Sequence, residues 1–255
     1  PPLIYTTASV YMKLMGATIQ NALWSYSLYV LIYFLALYGI GNYFGGRIGG
    51  TATAIIGISC HFTIYMSHMF VPELPQTAMT ALALCFLLYS DRFTCKLPSY
   101  IFAFALALAM LAKWSSAFYL AGPLLIVFIY LIVKNPGSII YFLPPAAFLC
   151  PLGYIYYKYG LEIYKKFSGG TITQPSWMLP VFALVVVVLI VYTFLIEKYG
   201  SDWFGENKRE SAKNTILFIR CLLIALLLCG LWYVHSLHGV ISKLDFQRQE
   251  ILDPR

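Results

Sequence analysis

The sequence predicts an all-α fold: a polytopic bundle of about eight membrane-spanning helices preceded by an interfacial N-terminal helix. Three observations carry this expectation. Of 255 residues, 60% are hydrophobic and only 11% charged, and the mean hydropathy is +0.76, far more apolar side chain than one aqueous core requires. The apolar residues fall into several runs of about 17 to 25, long enough to cross hydrocarbon as helices. None of these runs alternates strictly, which argues against a barrel.

Taken in order, residues Ile4 to Met15 place Ile4, Tyr11, Leu14 and Met15 among Thr6, Thr7, Ser9 and Lys13, a pattern suited to a helix lying in the interface. A first span runs from Ala22 to Phe44 and ends in Gly-Gly-Arg-Ile-Gly-Gly, which reads as a turn. The second span, Thr51 to Phe70, aligns Gly50, Ala54 and Gly57 in a small-residue stripe that lets helices approach closely. Its far end puts His61, Tyr65 and His68 on one face, expected to look into the bundle or a wet cavity. Pro72-Glu73-Leu74-Pro75 then opens a third span, Gln76 to Tyr89.

Asp91, Arg92 and Lys96 form a short charged link, and Pro98 opens a fourth span ending near Ala112. After Lys113-Trp114-Ser115-Ser116 the fifth span runs to Val133, and Lys134-Asn135-Pro136-Gly137 makes another turn. The sixth reaches Tyr157, with Pro144, Pro145 and Pro151 predicting kinks. A hydrophilic loop over Lys158 to Ser176 contains Lys165 and Lys166, read as headgroup anchors. The seventh span covers Trp177 to Ile196, a charged connector Glu197 to Asn214, and the eighth span Thr215 to Val234, with Arg220 expected to snorkel. The organisation is therefore a transmembrane region over 1–135 holding the candidate site, further spans over 136–235 with a loop near 158–176, and a polar tail over 236–255.

The net charge of +7 assigns basic side chains to lipid headgroups rather than nucleic acid. The partners implied are a bilayer and no nucleic acid, with the chain integral and multi-pass. Basic residues divide evenly between the two sides of the eight-span path, so charge alone leaves orientation open. The six cysteines lie mostly in apolar runs with no CxxC, and read as small buried hydrophobes. There is no P-loop, GxSxG, HExxH or CxxCH pattern.

Glu73 and Lys113 are separated by two apolar runs, so an up-and-down path returns both to one membrane face. A carboxylate there can coordinate a divalent cation or orient an acceptor, and a lysine can hold phosphate as a point charge. The plainer reading is that boundary charges anchor helix ends. His61, Tyr65 and His68 could ligate a metal or a pigment, or be hydrogen-bonded polar residues between helices.

The PPLIYTTASVYMKLMG opening, the GGRIGG turn, the VPELPQTAMTALALCFLLYS segment and the ALALAMLAKWSSAFYLAGPLL segment resemble the polytopic GT-C glycosyltransferases of the protein-mannosyltransferase and aminoarabinose-transferase type. The similarity covers roughly the first 135 residues. Pro1-Pro2-Leu3 matches a motif closing that family's first extracytoplasmic loop, Glu73-Leu74-Pro75 an Asp-Leu-Pro-like motif with Glu for Asp, and Ala112-Lys113-Trp114 a Thr-Lys-Trp-like turn. The resemblance implies transfer of a sugar from a polyprenyl-phosphate carrier to an acceptor at the extracytoplasmic face, in a cell, inner or endoplasmic-reticulum membrane. Glu73, Lys113 and Trp114 on these motifs, with His68 from the polar face of the second span, are the expected substrate-binding residues, and a divalent cation is expected at Glu73.

The family's acceptor-orienting aspartate is expected upstream of Pro1, and the catalytic residue within these 255 is unknown. The absence of an initiator methionine raises two expectations: a segment precedes Pro1 and the chain is the middle of an enzyme, or Pro1 begins a GT-C-derived accessory subunit of a larger membrane complex. A transporter is a third class, unsupported by inverted repeats.

Overall fold

The structure is a computed structural model and describes residues 2–134, 136–151, 154, 158, 178–199 and 212–233. Among these residues every regular element is helical. The elements are α1 (Pro2–Met15), α2 (Ile19–Ser59), α3 (His61–Ser67), α4 (Glu73–Tyr89), α5 (Lys96–Ala112), α6 (Ser116–Lys134), a 3₁₀ turn over Pro136–Phe142, α7 over 143–151, α8 (Met178–Tyr199) and α9 (Ala212–Tyr233). Among the described residues four helices are long and apolar enough to cross a membrane: α2, α6, α8 over Pro180–Lys198, and α9.

The expected count of eight is not reproduced as eight long helices, and the reasons are local. Helix α2 is a hairpin rather than a rod: Gly45 (φ −128°, ψ 16°) and Gly46 (φ 63°, ψ −163°) leave helical geometry inside the GGRIGG turn. Only glycine adopts the Gly46 backbone without strain. The two limbs, 19–44 and 47–59, then meet through small residues. A Cβ on Gly41 would stand 2.5 Å from the Gly49 carbonyl oxygen and 2.5 Å from Thr53 Oγ1. Gly50 lies against Tyr38 and Gly57 against Leu37, so the small-residue stripe is the hairpin's inner face.

The expected second span, Thr51 to Phe70, breaks at Cys60, whose ψ of 125° ends α2 and starts α3. Thr63 Oγ1 donates to the Gly57 carbonyl at 3.0 Å, covering an acceptor that the break frees. Helices α4 and α5 have 17 residues each, about 25 Å of rise against the ~30 Å of hydrocarbon. They pack antiparallel along an alanine seam in which Ala78, Ala83, Ala103, Ala105, Ala107, Ala109 and Ala112 are nearly inaccessible.

Helix α9 runs alongside α5 in the same direction: Cys221 Sγ lies 3.2 Å from the Ser99 carbonyl, and the Tyr233 hydroxyl donates to the Met110 carbonyl. Helix α8 is antiparallel to α9, with the Phe182 ring seated on Gly230, where a Cβ would come within 2.3 Å of it. Helix α1 packs on α2 and α5, burying Ile4 with Tyr26, Tyr29, Leu74 and Met79. The Thr7 and Tyr29 hydroxyls share a 2.9 Å hydrogen bond.

Several expectations fall elsewhere. The sixth span is, over its described part, a 3₁₀ turn followed by α7. The seventh extends past Ile196, so Glu197 belongs to α8 rather than to a connector. Among the cysteines Cys85, Cys221 and Cys229 are buried, whereas Cys60, Cys95 and Cys150 are exposed. The loop near 158–176, apart from residue 158, and the tail over 236–255 lie outside the described residues.

Candidate functional site

Glu73 is the first residue of α4, after Pro72 at the cap. A carboxylate in a first helical turn is favoured by the helix dipole, and Pro75 fits there because a first-turn N–H has no intrahelical partner. Lys113 sits where α5 ends. Its extended backbone (φ −162°, ψ 130°) breaks the helix, while its N–H still donates to the Ala109 carbonyl. Ser116 Oγ donates to that carbonyl at 2.8 Å and closes the turn into α6.

Because α4 and α5 are antiparallel, the start of one meets the end of the other. Lys113 Nζ lies 3.1 Å from Glu73 Oε1, with the two side chains 37% and 38% exposed. Beside this pair Gln76 Nε2, itself buried, donates to Ser115 Oγ at 2.9 Å. The ion pair and the amide–hydroxyl bond together tie the α4 N-terminus to the α5–α6 turn. Tyr26 from α2 closes the neighbourhood, its hydroxyl donating to the Val71 carbonyl at 2.7 Å.

The other expected site residues stand further out. Trp114 is 61% exposed and makes a T-shaped contact with Phe118, 5.5 Å between centroids. His68 caps α3, its N–H donating to the Tyr65 carbonyl, and lines a groove of about 440 Å³ with Gln20, Leu23, Trp24, Ser27 and Val30 of α2. His61, Tyr65 and His68 are all exposed, so the face they share looks outward rather than into the bundle. The α3 residue that is buried is instead Thr63, and Met66 packs against the core beside it.

No group of three His, Cys, Asp or Glu side chains converges among the described residues. Glu73 is the carboxylate a divalent cation would take here, in exchange for the Lys113 ammonium that now neutralises it.

At the other end of α5, about 25 Å away along its axis, is a second charged cluster, which the sequence reading missed. The Arg220 side chain, 1% exposed, is fully engaged rather than snorkelling. Its Nη2 lies 2.7 Å from Glu197 Oε2, and Nε donates to Thr193 Oγ1, Nη2 to the Thr193 carbonyl and Nη1 to the Tyr100 hydroxyl, each at 3.0 Å. The guanidinium also stacks 3.6 Å above the Phe194 ring. Glu197 takes Lys96 at 3.1 Å with its other oxygen. The sequence carried a faint signal: an arginine inside one apolar run and a glutamate at the end of the preceding one are brought level when the two helices run antiparallel. No protein-family model, curated protein or solved structure matches this chain.

Proposed function

We propose that the chain is a multi-pass membrane protein built on about eight bilayer crossings, and that it is part of a glycosyltransferase taking sugar from a polyprenyl-phosphate carrier at the extracytoplasmic face. The observation that supports this reading is the half-exposed Glu73–Lys113 pair at one rim of an apolar bundle, on two of the motifs that carry the family resemblance. Four helices long and apolar enough to cross a membrane fit a lipid partner. In this reading Lys113 releases Glu73 to meet the carrier phosphate, a compact ammonium suited to that charge. Glu73 then orients the acceptor or a divalent cation, while Trp114 and His68 flank the lipid and sugar.

A second reading is an accessory subunit of a larger membrane complex. The specific observation favouring it is that Glu73 and Lys113 satisfy each other, so the pair already has a role as a clamp between α4 and the α5–α6 turn.

One experiment separates them: Glu73→Gln, Lys113→Ala and the swapped pair Glu73→Lys with Lys113→Glu, assayed in membranes for glycolipid or glycoprotein product and for thermal stability. The expected result is loss of product by at least about tenfold in both single variants, roughly the 1.4 kcal/mol or more that a charged contact contributes. The swapped pair should recover stability without recovering product. Unchanged product in the single variants rejects the enzyme reading, and product returning with the swapped pair favours the clamp.

A further inference from the structure

The link between α4 and α5 holds three consecutive non-glycine residues at positive φ: Asp91 (44°), Arg92 (57°) and Phe93 (66°). L-residues resist that geometry, so something must hold it. Phe93 is the anchor. It is fully buried, edge-on to Phe102 at 5.8 Å and to Phe218 at 5.0 Å. The consequence appears one residue earlier, where the turn sets the Arg92 guanidinium 4.2 Å from the centre of the Tyr130 ring.

The same ring attracts a second cation: Lys134 Nζ, on the last residue of α6, lies 5.9 Å from its centre. Two like charges on one aromatic ring repel, and more strongly where headgroups replace water. No acid among the described residues offsets them. The ion pairs there are Lys96–Glu197, Lys113–Glu73 and Arg220–Glu197, and Asp91 instead accepts a hydrogen bond from Thr94 Oγ1 at 3.4 Å. Among the described residues the pair is therefore short of one anion.

Its position says which kind. Lys134 closes a helix long and apolar enough to cross a membrane, Ser116–Lys134, so the pair lies at the expected headgroup level. Toward the interior of that helix Ile126, Ile129 and Val133 stand exposed on one face, a surface for hydrocarbon chains. A guanidinium fork beside an ammonium matches the paired anionic oxygens of a phosphodiester.

We propose that Arg92, Tyr130 and Lys134 form a headgroup site for an anionic glycerophospholipid, whose phosphodiester is held between the two cations and whose acyl chains lie along Ile126, Ile129 and Val133. The site is independent of the Glu73–Lys113 pair, which lies at the opposite end of α4 and α5.

The test compares the purified chain in nanodiscs of phosphatidylcholine alone and with phosphatidylglycerol, by thermal unfolding and by native mass spectrometry of retained lipid. Ligand that binds only the folded state raises its stability. Phosphatidylglycerol should raise the melting temperature by several degrees and be retained as a bound lipid. Both effects should vanish in Arg92→Gln/Lys134→Gln and persist in Lys13→Gln/Arg47→Gln, which removes the same charge from exposed positions elsewhere. A gain common to wild type and Arg92→Gln/Lys134→Gln overturns the site, as does no gain in wild type. Equal stabilisation by inorganic phosphate in detergent overturns the lipid as its occupant.

Discussion

Replacing Arg220 by methionine should cost about 3–5 kcal/mol of stability, the range for removing one member of a buried, hydrogen-bonded ion pair. The guanidinium holds Glu197, Thr193 and Tyr100 together, so two elements lose their common partner at once: α5 through Tyr100, and α8 through Thr193 and Glu197. Lys96 remains on Glu197, but its side chain is 70% exposed and its contact is correspondingly weak. Adding Glu197→Leu to Arg220→Met should return most of the loss, since a well-packed apolar pair can replace a buried ionic one. Denaturant unfolding in detergent checks both. A methionine variant within about 0.5 kcal/mol of wild type, the range of ordinary surface substitutions, would mean that the network holds nothing.

The α2 hairpin supplies the second large effect. Gly41→Ala places a methyl group against the Gly49 carbonyl oxygen and Thr53. Because the obstacle includes backbone, the limbs must separate, at about 1–3 kcal/mol for an overpacked contact. Gly45→Ala is the internal control. Its φ is negative and nothing stands within 4 Å of the added carbon, so it should stay within about 0.5 kcal/mol of wild type. Thermal unfolding of both variants decides the matter. Equal stability in the two would show that the limbs do not meet where Gly41 faces Gly49.

Helix breaks were legible wherever their cause was local. GGRIGG gave the hairpin turn, Pro72 and Pro75 the start of α4, and Lys113 the end of α5. The break at Cys60 was not, because neither glycine nor proline marks it and its freed carbonyl is covered by a side chain six residues on. Spacing put His61, Tyr65 and His68 on one face, but periodicity fixes only which residues share a face. It does not say whether that face looks at a neighbour, and here it looks outward.

The candidate site divides the same way. That Glu73 and Lys113 share an end of the bundle followed from counting two apolar runs between them. Their 3.1 Å contact, and the adjoining bond from Gln76 to Ser115, required the antiparallel packing of α4 on α5. Arg220 is buried and paired where its place in an apolar run predicts a side chain reaching for the surface. A lone arginine near the end of an apolar run has a short path to the surface, and only the position of α8 beside α9 supplies acceptors that make burial cheaper than escape.

By itself, then, the sequence determined composition, helix identity and the turns, all of which depend on residues a few positions apart. Which charges meet was decided by the tertiary structure alone. A buried charge is stable only beside its partner, and the packing of α8 on α9 brings Arg220 onto Glu197 and Thr193, 23 and 27 residues before it in the chain.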